Sequence, residues 1–128
     1  VRLYAKPIKN YANINQFDYA SEWTIRQGEA NTLHFQLVDA DQDNLRYLTS
    51  DGTATVQVTF PAVNSANIIS KAAAQVSSLD RSIWSVSLLS TEIPASGNVQ
   101  IAVTENGSTR RFSLLQGLIV ELINAGGC

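Results

Sequence analysis

The residues best equipped for chemistry in this sequence are its single histidine, His34, and the acidic run Asp39, Asp41 and Asp43. Alternating carboxylates can wrap one hard cation with oxygens, as calcium loops do. Here the sixth position of such a loop is Asn44, where a turn glycine is needed, and the twelfth is Ser50, where a bidentate glutamate should close the shell. The run therefore reads as an acidic solvated loop between strands, and no metal is expected. One histidine and one cysteine also fall short of a zinc site built from nitrogen and sulfur. Serines and aspartates are available to His34 for a nucleophilic triad, but no nucleophile-elbow motif accompanies them, so His34 reads as a surface histidine. No glycine-rich dinucleotide or phosphate loop occurs. The expectation is a non-enzyme with no cofactor and no small-molecule substrate.

A second group of residues is suited to contact rather than reaction. Arg2, Lys6 and Lys9 interleave with Tyr4 and Tyr11 near the start of the chain, and Arg110 and Arg111 lie near its end. Cations with aromatics between them can track a phosphate backbone and stack bases. The whole chain, however, carries a net charge of −2, so no basic field directs it to nucleic acid or to an anionic membrane. Partner proteins are the expected use of these side chains. Asn106-Gly107-Ser108 has the form of a glycosylation sequon, although a tight turn accounts for the same residues.

Positioning such residues falls to strands. In Thr32-Leu33-His34-Phe35-Gln36-Leu37 the apolar residues recur every second position, which places Leu33, Phe35 and Leu37 on one face and His34 and Gln36 on the polar one. The alternation recurs at Val56, Val58 and Phe60, at Trp84, Val86 and Leu88, at Val99, Ile101 and Val103, and at Phe112 and Leu114. Trp23 and Ile25 suggest an earlier strand. Asn106-Gly107 predicts a type I′ hairpin, whose register sets Ile101 opposite Phe112 and Val99 opposite Leu114. Asp51-Gly52 offers a weaker hairpin that would set Tyr47 opposite Val56 and Leu45 opposite Val58. With 128 residues, 45% apolar and 16% charged, the chain has material for one packed core. Many short strands with turn signals between them predict an all-β antiparallel sandwich or barrel.

Two stretches depart from this pattern. Residues 68–76 contain good helix formers, with Ile68, Ala72, Val76 and Leu79 at helical spacing; an irregular strand is preferred because both neighbours read as strands. Residues 1–18 show no clean alternation and carry three cations against Asp18, a local +2. They read as an extended N-terminal arm, followed by a sandwich over 19–123 and a flexible end at 124–128. No run approaches eighteen apolar residues and the start lacks a signal-peptide pattern, so a soluble product made in the cytosol is expected.

The last strand, Leu118-Ile119-Val120-Glu121-Leu122-Ile123, is apolar on both faces. Either it is buried on both sides, or Ile119 and Ile123 face a partner chain. Gly117 before it marks a bulge or a close backbone approach. The candidate partner interface is therefore Arg2, Tyr4, Lys6, Lys9, Tyr11, Ile119 and Ile123, with Cys128 within reach of a neighbouring thiol.

Ile25-Arg26-Gln27-Gly28-Glu29, followed by Leu33-His34-Phe35-Gln36-Leu37-Val38-Asp39, together with Asp80-Arg81-Ser82-Ile83-Trp84-Ser85-Val86 and Gly97-Asn98-Val99-Gln100-Ile101-Ala102-Val103, carries a family likeness. Over roughly residues 20–123 the chain resembles the immunoglobulin-like domains of tailed-phage virion proteins, as in the N-terminal domain of baseplate upper proteins. The resemblance implies an immunoglobulin-like β-sandwich with an assembly role in a virus particle: capsid decoration, neck or collar, or tail. It implies other virion proteins and copies of itself as partners, and the virion as the location, after synthesis in the host bacterial cytoplasm. Baseplate upper proteins continue into further domains where this sequence stops, which favours a small accessory protein present in many copies. The alternative is a carbohydrate- or cell-surface-binding module, and clustered exposed aromatics among Tyr4, Tyr11, Phe17, Tyr19 and Tyr47 would favour it.

Overall fold

The computed structural model describes residues 3–26, 28–39, 54–62, 68–77, 79–105, 107–114 and 117–121, with backbone alone for Ile119 and Glu121. It is all-β. Ten strands follow one another: β1 (Leu3–Asn13), β2 (Gln16–Tyr19), β3 (Trp23–Arg26), β4 (Asn31–Asp39), β5 (Thr55–Phe60), β6 (Ile69–Gln75), β7 (Ile83–Leu88), β8 (Gln100–Glu105), β9 (Ser108–Leu114) and β10 (Leu118–Glu121). Seven of them hydrogen-bond in the order β1-β4-β7-β6-β5-β8-β9, and a parallel pairing of Tyr4 and Ala5 with Ser113 and Leu114 joins β9 back to β1. The circuit is a closed β-barrel, which leaves no open edge along the joined stretches. β2 extends β1 as a hairpin, and β3 pairs in parallel with β10 as a separate two-stranded piece.

The alternation read from the sequence fills the interior. Leu33, Phe35 and Leu37 from β4 meet Trp84, Val86 and Leu88 from β7, Val56, Val58 and Phe60 from β5, and Phe112 and Leu114 from β9 in one buried cluster. Trp23, Ile25 and Leu118 of the β3–β10 pair enter the same cluster. The Trp23 ring meets Phe35 edge-on at 5.6 Å, and its indole N–H donates to the His34 carbonyl at 2.8 Å. That bond satisfies a polar group that burial would otherwise leave costly. Ile101 pairs with Phe112 and Ala102 with Arg111, the register expected of the β8–β9 hairpin. Gly107 holds φ +80°, as that turn requires, while Asn106 lies outside the described residues.

Residues 69–75 are a strand, between β5 and β7. Helical spacing looked credible because the usual polarity is inverted: the inward row holds Lys71 and Gln75 beside Ile69 and Ala73, and the outward row holds Ala72 and Ala74. Lys71 escapes the apolar side by reaching Glu92, 3.0 Å away. The same carboxylate accepts the Leu89 N–H at 2.7 Å, and these two bonds hold Glu92 below its ordinary pKa.

Three expectations need correction. The N-terminal arm over 1–18 is, from Leu3 to Asn13, a strand of the barrel, with Ala5 and Ile8 buried and Leu3 to Ile8 paired along β4. Its alternation is concealed because Ile8, also buried, lies on the face opposite Ala5, so both faces carry apolar residues. The Asp51-Gly52 hairpin lies outside the described residues, but Val56 and Val58 already pair with β6 on one side and β8 on the other, which leaves no ladder for Tyr47 and Leu45. Asp39, expected in a solvated loop, is buried at the end of β4 opposite Leu3. Gly117 is a close backbone approach, as its type suggested: at φ +80° an added Cβ would sit 2.6 Å from the Gly97 carbonyl oxygen, across the Gly97–Leu118 bridge.

Candidate functional site

β1 runs beside β4 only as far as Ile8 opposite His34; then it turns away to pair with β2, Lys9 opposite Asp18 and Asn13 opposite Gln16. Asn10 sits at the departure with φ +53°, a left-handed conformation that asparagine tolerates better than most side chains. Asn13 closes the hairpin: its Oδ1 accepts the Asn15 N–H at 2.8 Å and its Nδ2 donates to Gln16 Oε1 at 3.1 Å. The hairpin thereby lies over the outer face of β4, and two features arise from that placement.

The first is an aromatic face. Tyr11 stacks on His34 with ring centres 4.3 Å apart, Phe17 stacks near Tyr11 at 6.1 Å, and Tyr19 meets Phe17 edge-on at 5.4 Å. The Lys6 ammonium stands 4.7 Å above the Tyr19 ring, a contact worth ~0.5–1 kcal/mol at an exposed site. Tyr11 and Phe17 are half-buried, whereas Tyr19 keeps 48% of its surface exposed. Beneath them runs a buried polar chain. The Tyr19 hydroxyl donates to Gln36 Oε1, Gln36 Nε2 donates to Ser82 Oγ at 3.1 Å, and Ser82 donates both its hydroxyl and its N–H to Asp80 Oδ1. Gln36 is 2% exposed and Ser82 fully buried, so this network fixes the hairpin in one position; removing a member would strand its neighbours.

The second is a half-open cleft of about 450 Å³ in the fork where β1 and β4 diverge. Lys9 and Tyr11 stand on one side, Thr32 and His34 on the other, with Glu22 and Thr24 beside them and Trp23 at the base. Burial lowers the His34 pKa, so the imidazole is neutral at physiological pH, with one nitrogen a donor and the other an acceptor. Burial, and then the nearby Asp80 carboxylate, raises the Tyr11 pKa, so its phenol keeps its proton.

Of the interface residues expected from sequence, Lys6, Lys9 and Tyr11 come together on and beside the hairpin. Tyr4 is half-buried further along β1, opposite Val38. Arg2, Ile123 and Cys128 lie outside the described residues, and Ile119 is placed by its backbone, paired with Thr24 of β3. His34 and Gln36 are not on an open polar face: one is roofed by Tyr11 and the other buried under Tyr19. Sequence reasoning passed over Glu22, Thr24 and the Gln36–Ser82–Asp80 chain. Phe17 and Tyr19, two residues apart after the Asn13–Asn15 turn, were the available sign of a strand there. No family model matches the chain and no curated protein matches its sequence.

Proposed function

We propose that this protein is a non-enzymatic structural component of a tailed-bacteriophage particle, an immunoglobulin-like domain that acts through protein–protein contacts in a capsid-decorating, neck or tail accessory position. The barrel order supports the fold half of this reading. The orders β1-β4-β7-β6 and β5-β8-β9 match the four-strand and three-strand sets of a constant-type immunoglobulin sandwich, although here pairings along β5–β6 and β1–β9 close them into one barrel. The observation that carries the contact half is the exposed hairpin face with Lys6, Tyr11, Phe17 and Tyr19. Clustered aromatic side chains held over a buried network match the aromatic enrichment and preorganisation of interface hot spots. Particles produced from the genome that encodes the chain should contain it in many copies by quantitative mass spectrometry. A Phe17→Ala, Lys6→Glu variant, which leaves the Tyr19–Gln36 bond in place, should fold yet be depleted from them at least tenfold. Particles that lack the wild-type protein would refute the proposal.

A second reading, a carbohydrate- or cell-surface-binding module, is favoured by one observation. Three of the five aromatic candidates, Tyr11, Phe17 and Tyr19, do cluster, with Tyr19 exposed and the other two half-buried, whereas Tyr4 stands apart and Tyr47 lies outside the described residues.

A further inference from the structure

The cleft between β1 and β4 contains more hydrogen-bonding capacity than the protein uses. The side chains of Lys9, Tyr11, Glu22, Thr24 and His34 all line it, and none of the five makes a hydrogen bond or ion pair with a described residue. The other two polar side chains there are engaged, Asn10 with Asp18 and Thr32 with Ser87. At about 450 Å³ the space falls within the ~300–1,000 Å³ of small-ligand sites. Ile8, Ala20, Trp23 and Leu33 complete its lining, and of these only Ala20 is more than 7% exposed.

We propose that this cleft binds an uncharged sugar ring. The claim rests on the second reading above and is independent of the first. The charges of the lining decide the ligand class. Lys9 and Glu22 offset each other in the lining and the Asp80 carboxylate acts on Tyr11 from nearby, so the site does not select an anion. A phosphate or carboxylate would meet Lys9 but also the Glu22 carboxylate, and an organic cation would meet the reverse conflict. A free amino acid would match both charges and leave Tyr11, Thr24 and His34 without partners, a cost incurred for every polar group buried unpaired. Adjacent hydroxyls each donate and accept, so a single polyhydroxylated ring can donate to Glu22, accept from Lys9 and exchange hydrogen bonds with the phenol, the threonine and the neutral imidazole.

The test uses the full chain, labelled with ¹⁵N and titrated with methyl β-glucopyranoside, methyl β-galactopyranoside, methyl α-mannopyranoside and N-acetylglucosamine, with glycine and leucine as zwitterion controls. The expected result is saturable amide shifts at residues 9–11, 22–24 and 32–34 for at least one sugar, with a dissociation constant of about 1 mM, and none for the amino acids. Glu22→Ala and Thr24→Val should each weaken binding about tenfold while leaving the rest of the spectrum in place. Shifts that centre on Phe17 and Tyr19 would overturn the cleft site and keep the second reading. The cleft site would equally fall to a zwitterion response or to binding unaffected by both variants. No saturable sugar response at about 20 mM would remove the site and the second reading together, and the particle experiment would be untouched.

Discussion

His34 shows how one residue changes meaning between sequence and structure. Its position between Leu33 and Phe35 put it on the outer face of β4, which is where it lies, but that face is covered by Tyr11. Covering withdraws it from water and lowers its pKa, so in acid the unfolded chain takes up a proton that the folded chain resists. The sign follows: the unfolded state binds more protons just below the ordinary histidine pKa of 6.5, so stability present above it is lost as pH falls. Melting temperature should therefore drop between pH 7.5 and 5.5 in the wild type and drop measurably less in His34→Gln. Equal slopes for the two proteins, measured by calorimetry, would mean that Tyr11 does not shield the imidazole. The Gln36 side chain was legible only as an outward-facing amide. Its partners, Tyr19 and Ser82, sit 17 and 46 residues away in the chain, and no local pattern encodes a hydrogen bond of that span.

At the scale of elements, strands with one buried face were legible and those that serve both faces were not. β4, β5, β7, β8 and β9 alternate because one row enters the barrel and the other meets solvent or a cover. β6 reversed the chemistry of its rows, and its strand character was recoverable only from its neighbours. β1 concealed itself more fully, since Ala5 points into the barrel and Ile8 is buried on the opposite face. A hinge at Asn10 then breaks its register halfway. This changes what the N-terminal segment should do in isolation. With β4 along one side and β9 beside Tyr4 and Ala5 on the other, the amides of Tyr4 and Ala5 should exchange slowly in the isolated protein, at rates set by global unfolding. Deleting residues 1–8 should cost folding outright, not merely attachment. Fast, unprotected exchange over that segment would restore the arm and open the barrel between β4 and β9.

The whole molecule joins these pieces into one argument about function. Closing the circuit through β1 commits the first half of that strand to the barrel and frees the second half to carry β2 outward, so the hairpin and the cleft are consequences of a single divergence from β4. The sequence predicted an all-β chain and two of the aromatic face's members, Lys6 and Tyr11, as contact residues. It could not place them beside Tyr19 and His34, because that placement depends on the Asn10 bend and on pairings across the sheet. The central claim is that the hairpin face is where this protein meets its neighbours in an assembled particle. The direct test is an aromatic photo-crosslinking amino acid placed at position 17, on that face and outside the Tyr19–Gln36 network, and for comparison at position 72, on the outward row of β6. Irradiated particles should yield a crosslink from position 17 to another particle protein or to a second copy, and none from position 72. Crosslinks from position 72 alone, or no particle incorporation of a folded protein, would contradict the account.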